Sequence, residues 1–327
     1  MDIIFGEQDV SRELDTELAL LAEAESNYVV RPDQLAEKII ARKLEGPGQR
    51  GLSLPWSKAD EIIKIRGGEL SVWGGINGHG KSLLLGQIML EMMRTQKVLI
   101  VSLELFPDQT LERMIDQMAG CYSSPDYVRA ATEELRNKLW IYDQVSTVKS
   151  KKIIALIHYA KKTLGVDHIV IDSMTKCGLP DDYGAEKNFM DELQWSAKNL
   201  NVHIHLVCHI RKGESEQKIP NKFDVIGSSA ITNIPDNIFI VWRNKRKEEI
   251  KKELDLSQRK GSNYTVSPAD EKCLDMPDTI LSVEKNRHGG EEGKIGLYYH
   301  KLSGQSIPTD NGRAMPSPIP VTVRRVA

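Results

Sequence analysis

The segment Gly75-Ile76-Asn77-Gly78-His79-Gly80-Lys81-Ser82 fits the pattern G-x-x-x-x-G-K-[ST]. It constrains the fold more than any other stretch, because such a loop functions only between a strand and a helix. Residues 69–74 (ELSVWG) read as a short apolar strand, and residues 82–93 (SLLLGQIMLEMM) read as a helix. In that setting the glycines let backbone N–H groups face a phosphate, and the helix N-terminus adds partial positive charge. Gly75, Asn77, Gly78, His79, Gly80, Lys81, Ser82 and Leu83 are the expected nucleotide-binding residues. Lys81 would reach the β- and γ-phosphates of ATP, and Ser82 would ligate Mg²⁺.

The chain is long enough for one large core with appendages, at 327 residues and 40% hydrophobic content. Its formal net charge is -2, so any contact with nucleic acid must come from a local basic lining. Cys121, Cys177, Cys208 and Cys273 form no C-x-x-C pair. That speaks against a zinc site and for a reducing, cytoplasmic setting. The acidic start, MDIIFGEQD, is unlike a signal peptide, and no apolar run reaches the roughly 20 residues that span a bilayer.

Residues 11–25 read as a helix, with Leu14, Leu18, Leu21 and Ala22 on one face. This face needs a partner, either its own domain or a neighbouring subunit. A second helix is expected over 32–44, and Gly46-Pro47-Gly48 breaks it. Residues 1–47 thus form a helical linker or oligomerisation segment, and 48–315 an ATPase domain. Within the latter, strands at 98–103, 140–143, 168–171, 202–208 and 238–242 alternate with helices at 107–119, 125–139, 149–164 and 186–200. This alternation predicts an α/β fold with a mostly parallel central sheet. Residues 279–284 and 294–299 form a hairpin, and 244–277 a charged surface insertion with one helix at 248–256. Residues 316–327 are expected to be a disordered tail.

Hydrolysis needs more than a phosphate loop. Val170-Ile171-Asp172 ends an apolar strand with a carboxylate, the Walker B arrangement, and Asp172 would hold Mg²⁺. Glu104 ends the strand that follows the phosphate-loop helix and would polarise the attacking water. His209 ends a third strand and would sense the γ-phosphate. His203 and His205 share its face and read as buried structural histidines. Arg287, on a strand-end turn far along the chain, is a candidate arginine finger.

The ordered set resembles the RecA-like domain of the DnaB-type replicative helicases, in particular the helicase half of phage primase–helicases and Twinkle. The resemblance rests on GGINGHGKS at 74–82, VSLELFPDQTLERM at 101–114, IVIDSM at 169–174, VCHIRK at 207–212, IGSSAITNIPDNIFIVWRNK at 226–245 and VEKNRHGGEEGKIGLYYHKLSGQ at 283–305. It implies that Glu104 is the catalytic glutamate and that His209 is the polar sensor. It also implies that Lys285 and Arg287 enter a neighbour's site in trans, and that Arg243 contacts nucleotide. The stretch before Gly46 is too short for a zinc-binding, primase-like or bacterial helical N-terminal domain, and the insertion exceeds the length the family leads one to expect.

By the same resemblance, two loops per subunit hold single-stranded DNA in a central channel. Their counterparts are residues 177–185, which are acidic, and residues 210–224, which offer Arg211, Lys212, Lys218 and Lys222 to phosphates. Tyr183 and Phe223 are their aromatic residues. The expected protein is an ATP-dependent DNA helicase, a ring of six or seven copies moving 5′→3′ in phage or plasmid replication. A primase, polymerase or loader is a further partner, and no membrane is involved. The residues also leave open a RecA-like recombinase or regulatory ATPase that does not unwind, and a nucleotide-dependent loader or scaffold.

Overall fold

The structure is a computed structural model that describes residues 16, 18–23, 25–26, 28–44, 51–211, 218–260 and 266–323. The chain divides into two compact units, residues 1–50 and 51–327. In the first, the described residues between 16 and 26 are mostly helical, and a 3-10 turn at Pro32–Leu35 runs into a helix at Ala36–Leu44. Leu18 and Leu21 of the expected apolar stripe are exposed. Leu14 lies outside the described residues.

The second unit is built on six parallel strands: β1 (Leu70–Gly75), β2 (Val98–Ser102), β3 (Leu139–Ile141), β4 (His168–Asp172), β5 (His203–His209) and β6 (Asn237–Arg243). β7 (Thr279–Asn286), β8 (Gly293–His300) and β9 (Gln305–Ile307) continue the sheet antiparallel. The order across it is β3-β2-β4-β5-β1-β6-β7-β8-β9. The central strands are buried along nearly their whole length, which is why they read as continuous apolar runs. Alternate residues serve two cores. Trp73, Val207 and Phe239 meet α1 (Lys81–Met92), α2 (Pro107–Ala119) and α3 (Pro125–Leu135) through Ile88, Met114 and Leu135. Val72, Leu206 and Ile238 share the other core with Ile153 and Ile157 of α4 (Ser150–Tyr159) and Leu193 of α5 (Tyr183–Leu200).

The helix ends follow local rules. Pro107 and Pro125 open α2 and α3, where a missing N–H costs no helical bond. Ser124 and Asp182 cap Tyr127 N–H and Ala185 N–H. Gly120 closes α2 at φ 72°, a conformation that suits glycine.

Four expectations change. The helix expected at 125–139 stops at Leu135, because Leu139, Trp140 and Ile141 pair with β2 and sheet pairing overrides helical propensity. Among the described residues the insertion holds two helices, α6 (Lys245–Lys260) and α7 (Pro268–Asp275), tied by an Arg246–Asp270 ion pair at 2.9 Å. Its first turn is not solvated surface: Lys247 is 1% exposed, donates to the Met276 carbonyl and pairs with Asp278 at 3.0 Å. The expected disordered tail contributes Ile319, 1% exposed, to the first core.

On β4 and β5, three buried histidines make ordered hydrogen bonds, two of them in one chain. Trp73 Nε1–H donates to His205 Nδ1 at 3.2 Å, so His205 carries its proton on Nε2. That proton goes to His168 Nδ1 at 3.2 Å, and His168 Nε2–H donates to the Gln96 side-chain carbonyl. His203 Nδ1–H donates to the Arg66 carbonyl, and its Nε2 accepts from Ser71 Oγ at 2.7 Å. Each ring is satisfied only when neutral. Burial holds His168 and His205 well below the usual histidine range, reinforced by the neighbouring rings, and brings His203 down to about 4. No group of three or more His, Cys, Asp or Glu suited to a metal exists among the described residues.

The unfolded chain takes up protons on these histidines below pH about 6.5, whereas the folded chain protonates His203 only near pH about 4 and holds His168 and His205 neutral well below the usual range. Stability therefore falls as pH drops through that window, by at most about 1.4 kcal/mol per pH unit per histidine. Burial raises Glu69 and Asp172, which act in the opposite sense, so the observed slope is net. Urea midpoints measured from pH 7.5 to 5 should decline more steeply for this chain than for a His203→Gln variant, and equal slopes would contradict neutral burial of that ring.

Candidate active site

Parallel register collects the candidate residues at one end of the sheet. Gly75 of β1 lies opposite His209 of β5 and Val241 of β6, and Ser102 of β2 lies opposite Asp172 of β4. The strands run the same way, so their C-terminal loops share one rim, where clefts in open α/β sheets form. A cleft of about 630 Å³ opens there, lined by Asn77, Lys81, Ser82, Glu104, Asp172, His209 and Arg243 among others.

The loop from Gly75 to Lys81 turns through Gly78 at φ 78° and Gly80 at φ 83°. A Cβ at either would meet nothing within 4 Å, so glycine is needed for backbone sign and the rim of the loop stays open. Gly75 is required for close approach, since a Cβ would come 2.7 Å from the Val241 carbonyl. Lys81 is 7% exposed, and its Nζ donates to the Gly75 and Ile76 carbonyls at 2.8 and 3.1 Å. Burial lowers its pKa, opposed by the carboxylates of Asp172 and Glu104. Ser82 Oγ donates to Asp172 Oδ2, whose pKa burial raises and this bond lowers. A hydroxyl and a carboxylate set together at the open mouth of the loop are the hard oxygen donors that suit Mg²⁺.

Glu104 follows β2 and remains 39% exposed to the cleft. Its Oε1 accepts from Ser173 Oγ at 2.6 Å and lies 3.5 Å from His209 Nε2. Arg243, at the end of β6, lies 5.0 Å from the Tyr299 ring centre and pairs with Glu248 of α6. The insertion is thereby joined to the cleft wall.

Not every expected residue comes to this rim. His79 is 1% exposed and does not line the cleft; its Nδ1 accepts from the Arg243 backbone N–H at 3.0 Å. It braces the loop against β6. Arg287 and Lys285 sit at the opposite end of the sheet. Arg287 pairs with buried Asp236 at 3.2 Å and also donates to the Asn233 and Ile234 carbonyls. Lys285 donates to the Thr232 and Asn233 carbonyls, and burial lowers its pKa. The length of β6 separates them from the cleft of their own chain, about 20 Å at ~3.3 Å per residue.

The loop after β5 is only partly a free basic surface. Arg211 and Lys218 are exposed, and Lys212 lies outside the described residues. Lys222 is engaged within its own chain: it donates to the Glu284 carbonyl at 2.8 Å and pairs with Glu292 at 3.3 Å. Phe223 beside it is 81% exposed. In the first loop Cys177 is buried, and Tyr183, 57% exposed, already belongs to α5.

Sequence reasoning overlooked Ser173, Tyr299 and Lys301. Ser173 had a readable signal, a polar residue directly after a strand-end carboxylate. Tyr299 and Lys301 had none, because the hairpin's return to the rim is a tertiary fact.

Residues 60–215 match the AAA domain family. The chain is 23% identical over 211 residues to the DNA helicase/primase of Enterobacteria phage T3. That alignment covers 57% of this chain and 37% of the phage protein, so the chain spans little more than a third of that relative's length. A structure solved as an ATPase domain superposes with a TM-score of 0.68 at 16% identity, covering 86% of this chain and all of that one. A DnaB-like replicative helicase, solved in a study of its interactions with primase, gives 0.64 at 15% identity, with 92% and 73% coverage. The match to the AAA domain family is confined to residues 60–215. The fold of the chain is the RecA-like fold of the DnaB-like helicase ATPase domains.

Replacing Lys81 by Ala should weaken binding of a fluorescent ATP analogue by at least about tenfold, the scale of one charge-assisted contact. Undiminished affinity in a fluorescence titration would remove Lys81 from the phosphate site.

Proposed function

We propose that this chain is the ATP-hydrolysing motor of a replicative DNA helicase and that it acts as a ring, most simply a hexamer. One observation carries the reading: the phosphate loop and Arg287 lie at opposite ends of the same sheet. An arginine finger at Arg287 would therefore serve a neighbour's phosphate loop and not its own. The relatives named as helicases support the choice of DNA unwinding as the work done.

The roles follow from position. The loop N–H groups and Lys81 bind the phosphates. Ser82 and Asp172 would hold Mg²⁺, which when bound neutralises charge on the β- and γ-phosphates. Glu104 orients water for in-line attack and takes up its proton. Arg287 and Lys285 of one copy stabilise the charge that develops in the next. His209 links the γ-phosphate position to the loop that follows β5, where Arg211, Lys212 and Lys218 hold single-stranded DNA by its backbone. By family resemblance the movement is 5′→3′, and a primase is the natural partner in the replication of phage or plasmid DNA.

Arg287→Ala should lower turnover about 10³-fold while ATP binding survives. Adding a Lys81→Ala variant, which supplies intact fingers, should restore part of the activity in mixed assemblies. Near-normal turnover by Arg287→Ala alone would refute a trans finger. In salt titrations of oligo-dT binding, Arg211→Ala and Lys218→Ala should each reduce the slope by about one, whereas Lys222→Ala should not. Forked-duplex unwinding separates a helicase from a recombinase or regulator, and absence of any turnover would point to a scaffold.

A further inference from the structure

Ser173 is fully buried and directly follows Asp172, and its hydroxyl lies where three elements converge. Oγ is 2.6 Å from Glu104 Oε1, 2.7 Å from Thr175 Oγ1 and 3.3 Å from His209 Nε2. A serine hydroxyl has one proton and two lone pairs. The carboxylate claims that proton, because a charged acceptor makes the stronger bond. Thr175 Oγ–H and His209 Nε2–H then donate into the lone pairs. Thr175 lies in the turn Met174–Lys176, which leads into the first candidate DNA loop. His209 ends β5 at the start of the second, where Ile226 N–H donates to the His209 carbonyl and Ile210 bridges Val225. The base of each loop is thus one hydrogen bond from the group that binds Glu104.

We propose that Ser173 is a positioning residue that restrains Glu104 until DNA moves the loops. This deepens the function proposed above and rests on the assignment of Glu104 to water activation. The bond from Ser173 occupies Oε1 and weakens it as an acceptor for a proton from water. Displacing Thr175 or His209 removes a donor into Ser173, which weakens its own donation through loss of cooperativity and frees Glu104. The signal from the first loop therefore reaches the carboxylate through the Ser173 hydroxyl, and that from the second through the same hydroxyl and the His209 ring, 3.5 Å from Glu104 Oε1.

The test is steady-state ATPase of the full chain with and without oligo-dT, for Ser173→Ala, Ser173→Cys and Glu104→Gln. Cysteine keeps the volume but donates weakly, so it guards against a packing defect in the alanine variant. Both Ser173 variants should raise DNA-free kcat about fivefold, the rate equivalent of one lost hydrogen bond, with KM for ATP unchanged. The ratio of DNA-stimulated to DNA-free kcat should fall by the same factor. A merely structural serine would lower both rates together and leave their ratio intact. Unchanged or reduced DNA-free kcat in both variants, with Glu104→Gln inactive, overturns the restraint but leaves the function standing. Substantial turnover by Glu104→Gln overturns both.

Discussion

The register of β1 between β5 and β6 is the constraint on which the site depends. Gly75 must face His209 on one side and Val241 on the other for the phosphate loop to open over the ends of β2 and β4. A slip by one residue would exchange the two faces of the strand. Trp73 would leave the core it shares with Phe239, on which it stacks at 4.0 Å, and Val72 would take its place. Selection of the register is thus a packing matter settled several residues below the chemistry. The buried histidines add to this specification. Their hydrogen bonds to Trp73 and Ser71 are directional, and a shifted strand would leave polar atoms buried without partners.

The same economy of position explains His79, an unspecified residue inside a nucleotide-binding motif. It faces inward and fixes the backbone at Arg243, and Arg243 in turn holds Glu248 of the insertion and faces Tyr299. Loop, last parallel strand, insertion and hairpin are therefore joined through one arginine. What read as solvated surface charge has an anchored first turn that belongs to the wall of the cleft.

Much of the fold was readable in the chain because its signals are local. Proline, serine and glycine punctuate α2 and α3, and strands buried on both faces are unbroken apolar runs. The rim residues Lys81, Glu104, Asp172 and His209 were readable because each ends a strand or opens a helix in a fixed order. Features decided by long-range contact were not readable. The end of α3 depends on pairing with β2, the course of residues 316–323 on the pocket that takes Ile319, and the engagement of Lys222 on the Glu284 carbonyl. A basic loop residue looks the same in sequence whether it serves a phosphate or its own hairpin.

Asp236 has a consequence that reaches beyond Arg287. The carboxylate that pairs with Arg287 also accepts the backbone N–H of Leu70, the first residue of β1. The last residue of β1 is Gly75, where the phosphate loop begins. A single six-residue strand thus has one end bonded to the partner of Arg287 and the other at the cleft on the opposite rim. If copies meet as proposed, β1 is a stiff strut spanning each subunit from one junction to the next. Strain introduced by nucleotide at one junction would be delivered along it to the following one, and the order of firing around a ring would be a mechanical property of this strand.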